Sequence, residues 1–171
     1  MIKRWFKFLF ICALLLVLDC SLKYYTHTAI TPMNWLHPFY PYGGIGVFEN
    51  FYGISFSINH VENAGAAWGY FSQYTNYLIV LRAVIIIALL GYVLLFNKEK
   101  NKTFLYLLII TGALGNMLDF FFYGKVIDMF HFTFGKYSYP VFNLADCMIC
   151  FGIIFLLVMP ILPKKWKTKF A

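Results

Sequence analysis

The chain has 171 residues and only seven acidic ones, four of them aspartates in unusual places. Asp119 and Asp128 lie in "GNMLDFFFYGKVID", at the end of a long apolar run. Asp146 lies in "VFNLADCMICFGIIF", where another such run begins, and Asp19 sits inside a third, in "LVLDC". A carboxylate at the centre of a bilayer costs on the order of 2.5–3.5 kcal/mol even on insertion scales, so it needs a partner, water or a function. Asp19 has a partner: Lys23 follows four residues later on the same helix face, in the favourable acid-before-base order. That pair reads as structural. Asp119 has Asn116 one turn away and reads as a hydrogen-bonding position. Asp128 and Asp146 have no cation near in sequence apart from Lys125. Two carboxylates brought together do not both ionise, so one keeps a proton near neutral pH. Such a pair supplies a general base and a general acid at once. That is what an aspartyl protease requires, since it activates water without a metal or a covalent intermediate.

Other chemistries have weaker signals. Cys147 and Cys150 form C-x-x-C, but inside an apolar run, where cysteine behaves as a small apolar residue. A four-span disulfide-forming enzyme needs cysteines in its outward loops, and this chain has none there. His27, His37, His60 and His131 are scattered without paired ligand spacing, and loop or interface roles are expected of them. The sequence leads to the expectation of no metal and no cofactor.

The elements that position these residues follow from composition. The chain is 61% hydrophobic, 22% aromatic and 12% charged, against about a quarter charged in soluble domains. Four apolar runs are long enough to span a bilayer: residues 5–24, 77–96, 104–122 and 141–162. We expect an all-α integral membrane protein with four transmembrane helices, forming a single membrane-embedded domain over residues 1–171. At 1.5 Å per residue, Asp19 and Asp119 lie about 21 and 22 Å along their spans, and Asp146 about 8 Å below the start of the fourth. All four aspartates therefore gather toward one membrane face. Lys3, Arg4 and Lys7 precede the first run, Lys98, Lys100 and Lys102 follow the second, and Lys164, Lys165, Lys167 and Lys169 follow the fourth. The positive-inside rule puts both termini and the 97–103 loop in the cytoplasm, and the aspartates on the outward side. The net charge of +7 is thus a topology signal, and no nucleic-acid motif accompanies it.

The first run also has the look of a cleavable signal peptide, and "LVLDC" of a lipid-modified cysteine. Asp19 occupies the place where a small residue should precede Cys20, so an uncleaved span is expected. Residues 25–76 are expected to be the only long segment outside the membrane. They begin with a stretch rich in Pro, Gly and aromatics. In "FYGISFSINHVEN", Phe56, Ile58 and His60 then alternate with Ser55, Ser57 and Asn59, a strand signal for a small outward β element resting on the outer leaflet. Gly112 and Gly115 mark close approach of another helix or a ligand to the third span.

Four stretches carry a family resemblance. "LDCSLKYY" resembles the first box of the bacterial lipoprotein signal peptidases (signal peptidase II), in which an aspartate precedes a lysine by four residues. "VENAGAAWG" resembles their N-x-G-x-A-F-G box. "GALGNMLDFFFYGKVIDMFHF" resembles G-x-x-G-N-x-x-D-R-x-x-x-G-x-V-x-D-F, and "VFNLAD" matches F-N-x-A-D. The boxes occur in the family's order and cover nearly the whole chain. The resemblance implies an aspartic endopeptidase of the bacterial cytoplasmic (inner) membrane, with Asp128 and Asp146 as the catalytic pair. It implies substrate-binding or supporting roles for Asn63, Gly65, Asn116 and Asn143, and structural roles for Asp19, Lys23 and Asp119. The implied substrate is a membrane-tethered diacylglyceryl-prolipoprotein, cut just before its lipidated cysteine. No obligate protein partner is implied beyond substrate and membrane lipid. Phe120 stands where the family has Arg, Cys20 where Gln is common and Trp68 where Phe is usual. The missing guanidinium bears on substrate positioning, with Lys125 weighed as a partial substitute.

Two other classes use intramembrane aspartates. A proton-coupled transporter or channel needs polar groups through both leaflets, and the cytoplasmic halves of these runs are apolar. A non-catalytic assembly subunit would use the acids for helix packing alone.

Overall fold

The computed structural model describes residues 2–34, 36–64 and 75–161. Gly65, Trp68 and the lysines from 164 onward lie outside the described residues. The apolar runs form helices α1 (Ile2–Ala29), α2 (Thr75–Leu95), α3 (Lys100–Tyr123) and α4 (Leu144–Val158). The first three are long and apolar enough to cross a membrane, and α4 is a shorter apolar helix. Their outer faces carry exposed Phe6, Phe10, Leu14 and Val17 on α1 and Val80, Val84, Ile87 and Leu94 on α2. Rows of large apolar side chains at helical spacing face lipid rather than water. The chain is a membrane protein with a small antiparallel sheet.

Helix α3 is the hub, packing against α1, α2 and α4. Ile86, Val93 and Ile110 close the α2–α3 seam, and Leu108, Ala145 and Met148 close the α3–α4 seam. The two expected close approaches are both used. A Cβ on Gly112 would run into the carbonyl of Ala145, and one on Gly115 would sit 2.7 Å from Asp19 Oδ2 and 3.3 Å from Ala145 Cβ. Gly115 thus lets α1 and α4 meet α3 around a polar group.

Two expectations about the elements need correction. The fourth run begins as helix at Leu144, three residues late, because Phe142 is extended and pairs with strand β3 (Val126–Phe134): its carbonyl accepts from the amides of Met129 (3.0 Å) and Phe130 (2.7 Å). Asn143 then caps the helix. The β element is also not confined to residues 25–76. Strands β1 (Ile45–Phe51) and β2 (Ile54–Asn63) come from that segment, but β3 and β4 (Tyr137–Ser138) come from the chain after α3, in the order β1-β2-β3-β4. Gly124, in the left-handed conformation at φ 72°, ends α3 and turns the chain into β3.

The sheet faces are also reversed from a water-soluble arrangement. Ser57, Asn59, His131 and Thr133 are buried, under a loop whose Pro41 carbonyl accepts from Asn59 Nδ2 at 2.7 Å. The opposite face is aromatic, with Phe56 stacked on Phe132 (4.4 Å between centroids) and Phe132 on Phe142 (6.1 Å).

Candidate active site

The four aspartates fall into two adjoining polar clusters. The first is a buried ion triad. Lys23 Nζ lies 2.9 Å from Asp19 Oδ2 and 2.8 Å from Asp119 Oδ2, with the lysine and Asp19 both fully buried. The triad fastens several elements. Asp19 Oδ1 accepts from the amide of Ala145 in the first turn of α4 at 2.9 Å, and Asp119 Oδ2 from the amide of Ile127 on β3 at 3.2 Å. Asp119, read from sequence as a partner of Asn116, is therefore a second counter-ion of Lys23. Asn116 Oδ1 accepts from the same ammonium at 3.0 Å.

The second cluster is built outward from Asn116. Asn143 is fully buried, and its Oδ1 accepts from the Asp146 amide at 2.9 Å while Asp146 Oδ2 accepts from the Asn143 amide at 3.2 Å. This reciprocal capping box starts α4, and it fixes which end of the Asn143 amide points where. Asn143 Nδ2 must then donate, and it reaches Asp128 Oδ1 at 2.7 Å and Asn116 Oδ1 at 3.0 Å. Asn116 is oriented twice over, because the Lys23 ammonium only donates. Its own Nδ2 therefore donates to Asp146 Oδ1 at 2.8 Å. Asn63 Nδ2, at the end of β2, reaches Asp128 Oδ2 at 3.1 Å.

Asp128 and Asp146, 18 residues apart and on different elements, are thus joined through one buried asparagine. Both line a cavity of about 500 Å³ together with Asn63, Asn116 and Arg82. Burial, and after it the charge of Asp146, push the Asp128 carboxyl up to about 7. Such a carboxyl holds its proton through the weakly acid range and is about half protonated at neutral pH. Below the acids the cavity is lined by Cys147, Cys150, Phe151 and Ile154, which share one face of α4. It runs about 12 Å from Asp146 to Ile154 at 1.5 Å per residue. A second, almost wholly apolar cavity of about 450 Å³ lies between α1, α3 and α4, and among the described residues that line it only Cys147 is ionisable.

Sequence reasoning missed Arg82. It lies on α2, its guanidinium 5.0 Å from the centre of the Phe120 ring, and it lines the cavity of the two aspartates. The signal was available, since a lone arginine inside "NYLIVLRAVIIIALL" is as costly in a bilayer as the aspartates. Lys125 is not among the described residues that line that cavity and pairs at the surface with Glu62, 2.7 Å from its Oε2.

Known proteins are similar to this chain in sequence. The lipoprotein signal peptidase of Chlamydia felis is 38% identical over 118 residues, 68% of this chain and 72% of its own length. That of Chlamydia pneumoniae is 40% identical over 121 residues, 68% and 70%, and that of Pasteurella multocida 34% over 155 residues, 88% and 86%. Two solved structures of bacterial membrane enzymes, determined by the in meso method, share the fold. One superposes with a TM-score of 0.74 at 24% identity, over 91% of this chain and 87% of that one. The other gives 0.69 at 25%, over 92% and 94%. A family model described as signal peptidase (SPase) II matches residues 11–162, a stretch that holds every aspartate and asparagine of the two clusters. On that match, and on relatives in which the same chemistry is named, the chain belongs to the signal peptidase II family.

Proposed function

We propose that the chain removes signal peptides from diacylglyceryl-modified prolipoproteins as an aspartyl endopeptidase, with Asp128 and Asp146 as its catalytic pair. The observation that carries this is the cavity in which two carboxylates from different elements are held by the same buried Asn143. Both oxygens of Asp146 accept from donors of fixed polarity, which suits an ionised general base. Asp128 accepts from Asn143 at one oxygen and lies 3.1 Å from Asn63 Nδ2 at the other, and burial pushes its carboxyl up to about 7. The proton of the pair therefore resides on Asp128. Asp146 takes a proton from water as the oxygen attacks the scissile carbonyl. Asp128 donates to the carbonyl oxygen; as the tetrahedral intermediate collapses, Asp146 passes the proton it took from water to the leaving amine and Asp128 recovers its own from the hydroxyl that becomes the new carbonyl. Arg82, braced on Phe120, holds a peptide carbonyl of the substrate, the task that the family's arginine at position 120 would otherwise take. The apolar wall from Cys147 to Ile154 receives the acyl chains beside the cleaved bond.

The whole chain acts as one membrane-embedded peptidase domain with four crossings and both termini in the cytoplasm. Arg4 and Lys98 share one cavity at the start of α1 and the end of α2, which supports a cytoplasmic end there. The extended residues 141–143 add about 10 Å to the reach of α4, which supports a fourth crossing. The aromatic sheet face then rests on the outer leaflet, at headgroup level. The test is incubation of purified protein with a diacylated prolipoprotein and with the same precursor left unlipidated. Cleavage before the lipidated cysteine of the first alone is expected, and equal cleavage of both would remove the lipid from the recognition.

A further inference from the structure

Two histidines far apart in sequence meet at the junction of α1 and the sheet. His27 is in the last turn of α1, and His60 and Glu62 lie two residues apart on β2. His60 is 2% exposed. Its Nδ1 lies 2.8 Å from the carbonyl of Ile30, which only accepts, so Nδ1 carries a proton and in the neutral ring Nε2 presents a bare lone pair. That Nε2 is buried and has no hydrogen-bond partner among the described residues. It faces Glu62 Oε1 at 3.9 Å, an acceptor opposed to an acceptor. Such an arrangement is satisfied by a cation between them. The backbone carbonyl on the other ring nitrogen is the usual device that orients a metal-binding histidine and fixes its tautomer. The His27 ring approaches edge-on, 5.4 Å from that of His60. One ligand atom from each of His27, His60 and Glu62 lies within 4.8 Å of the others.

We propose that His27, His60 and Glu62 form a binding site for a divalent first-row transition-metal ion, with Zn2+ as the type. Two imidazoles and one carboxylate are a borderline donor set of the kind Zn2+ takes, with water completing a tetrahedron. Ligand distances of about 2.0–2.2 Å place ligand atoms about 3.3–3.6 Å apart in such a tetrahedron. His27 and Glu62 are exposed side chains, free to close that gap onto the fixed His60. Two other groups face the site: the Tyr123 ring, 4.7 Å from that of His27, and the Lys125 ammonium on the far oxygen of Glu62. The lysine keeps Glu62 ionised while leaving Oε1 for the metal. The site is apart from the catalytic cavity but next to it in the chain, since Asn63 follows Glu62 and reaches Asp128. A bound ion ties α1 to the strand that ends in Asn63.

Calorimetric titration of tag-free, detergent-solubilised protein with ZnCl2 tests the proposal, alongside His27→Ala and Glu62→Gln, two surface changes that leave the His60 hydrogen bond in place. Saturable binding of one ion is expected in wild type, weakened about tenfold or more in each variant. Zn2+ should also raise the melting temperature of wild type and not of the variants, since an ion that binds only the folded state stabilises it. Absence of saturable uptake by wild type, or one-ion binding that neither substitution weakens, would overturn the proposal. The readout is binding, so cleavage activity does not enter it.

Discussion

At the scale of the residue, the pair Asp128 and Asp146 is defined by its proton. Asp128 is raised to about 7 by burial and by the charge of Asp146, while a free aspartate titrates near 3.9. The folded protein therefore binds more protons than the unfolded chain between about pH 4 and pH 7, and stability falls as pH rises through that window. Asp128→Asn removes this slope, so its melting temperature should fall less than that of wild type between pH 5 and pH 8. Turnover should decline above about pH 7, as the general acid loses its proton. A rate that keeps rising with pH past 8 would mean that Asp128 does not act as the acid. Arg82 is tested by exchange with its neighbour. Arg82→Leu should lower kcat/KM by about tenfold or more, the loss of one charge-assisted hydrogen bond. Adding Phe120→Arg should restore part of that loss, while Phe120→Arg alone crowds two guanidinium groups. If Arg82→Leu is silent in folded protein, Arg82 has no part in positioning the substrate.

At the scale of the element, the acids are held where three helices and a strand converge, and Lys23 is the fastener. Lys23→Met should lower stability by about 3–5 kcal/mol, because it strands two buried carboxylates. Asp19→Asn with Lys23→Gln should recover only part of this, since Asp119 remains unpaired; thermal melting of the variants measures both. Full recovery would mean that Asp119 does not rely on Lys23. Much of this was legible in the chain. Asp19 and Lys23 fall four apart on one helix face, the strand alternation around Phe56 fell where β2 is found, and the boxes carried the asparagines. The second half of the sheet was not read, although "VIDMFHFTFGKYS" has its own alternation, β-branched and aromatic residues and a Gly-Lys turn. Helical spacing also cannot bring His27 to His60, nor Arg82 to Asp128, because those meetings depend on how elements dock. The start of α4 was misjudged because Phe142 is apolar enough for a span, yet its backbone is taken by β3.

At the scale of the whole molecule, polar chemistry is concentrated at one end of an otherwise apolar bundle. Arg4 and Lys98 mark the other end. The proposed membrane sidedness can be measured with cysteines introduced into a cysteine-free background. Lys136→Cys, on the turn between β3 and β4, should react with an impermeant maleimide in intact cells, and Lys98→Cys only after the cells are opened. The reverse pattern would invert the topology. The central claim, that one bond is cut by two aspartates acting together, is tested most directly by single-turnover cleavage of a diacylated prolipoprotein by purified, folded protein. Asp128→Asn and Asp146→Asn should each lose at least about 10²-fold in rate, with the double variant little worse than either, because the residues act as a unit. Appreciable turnover by either single variant, or losses that multiply in the double, would contradict the account.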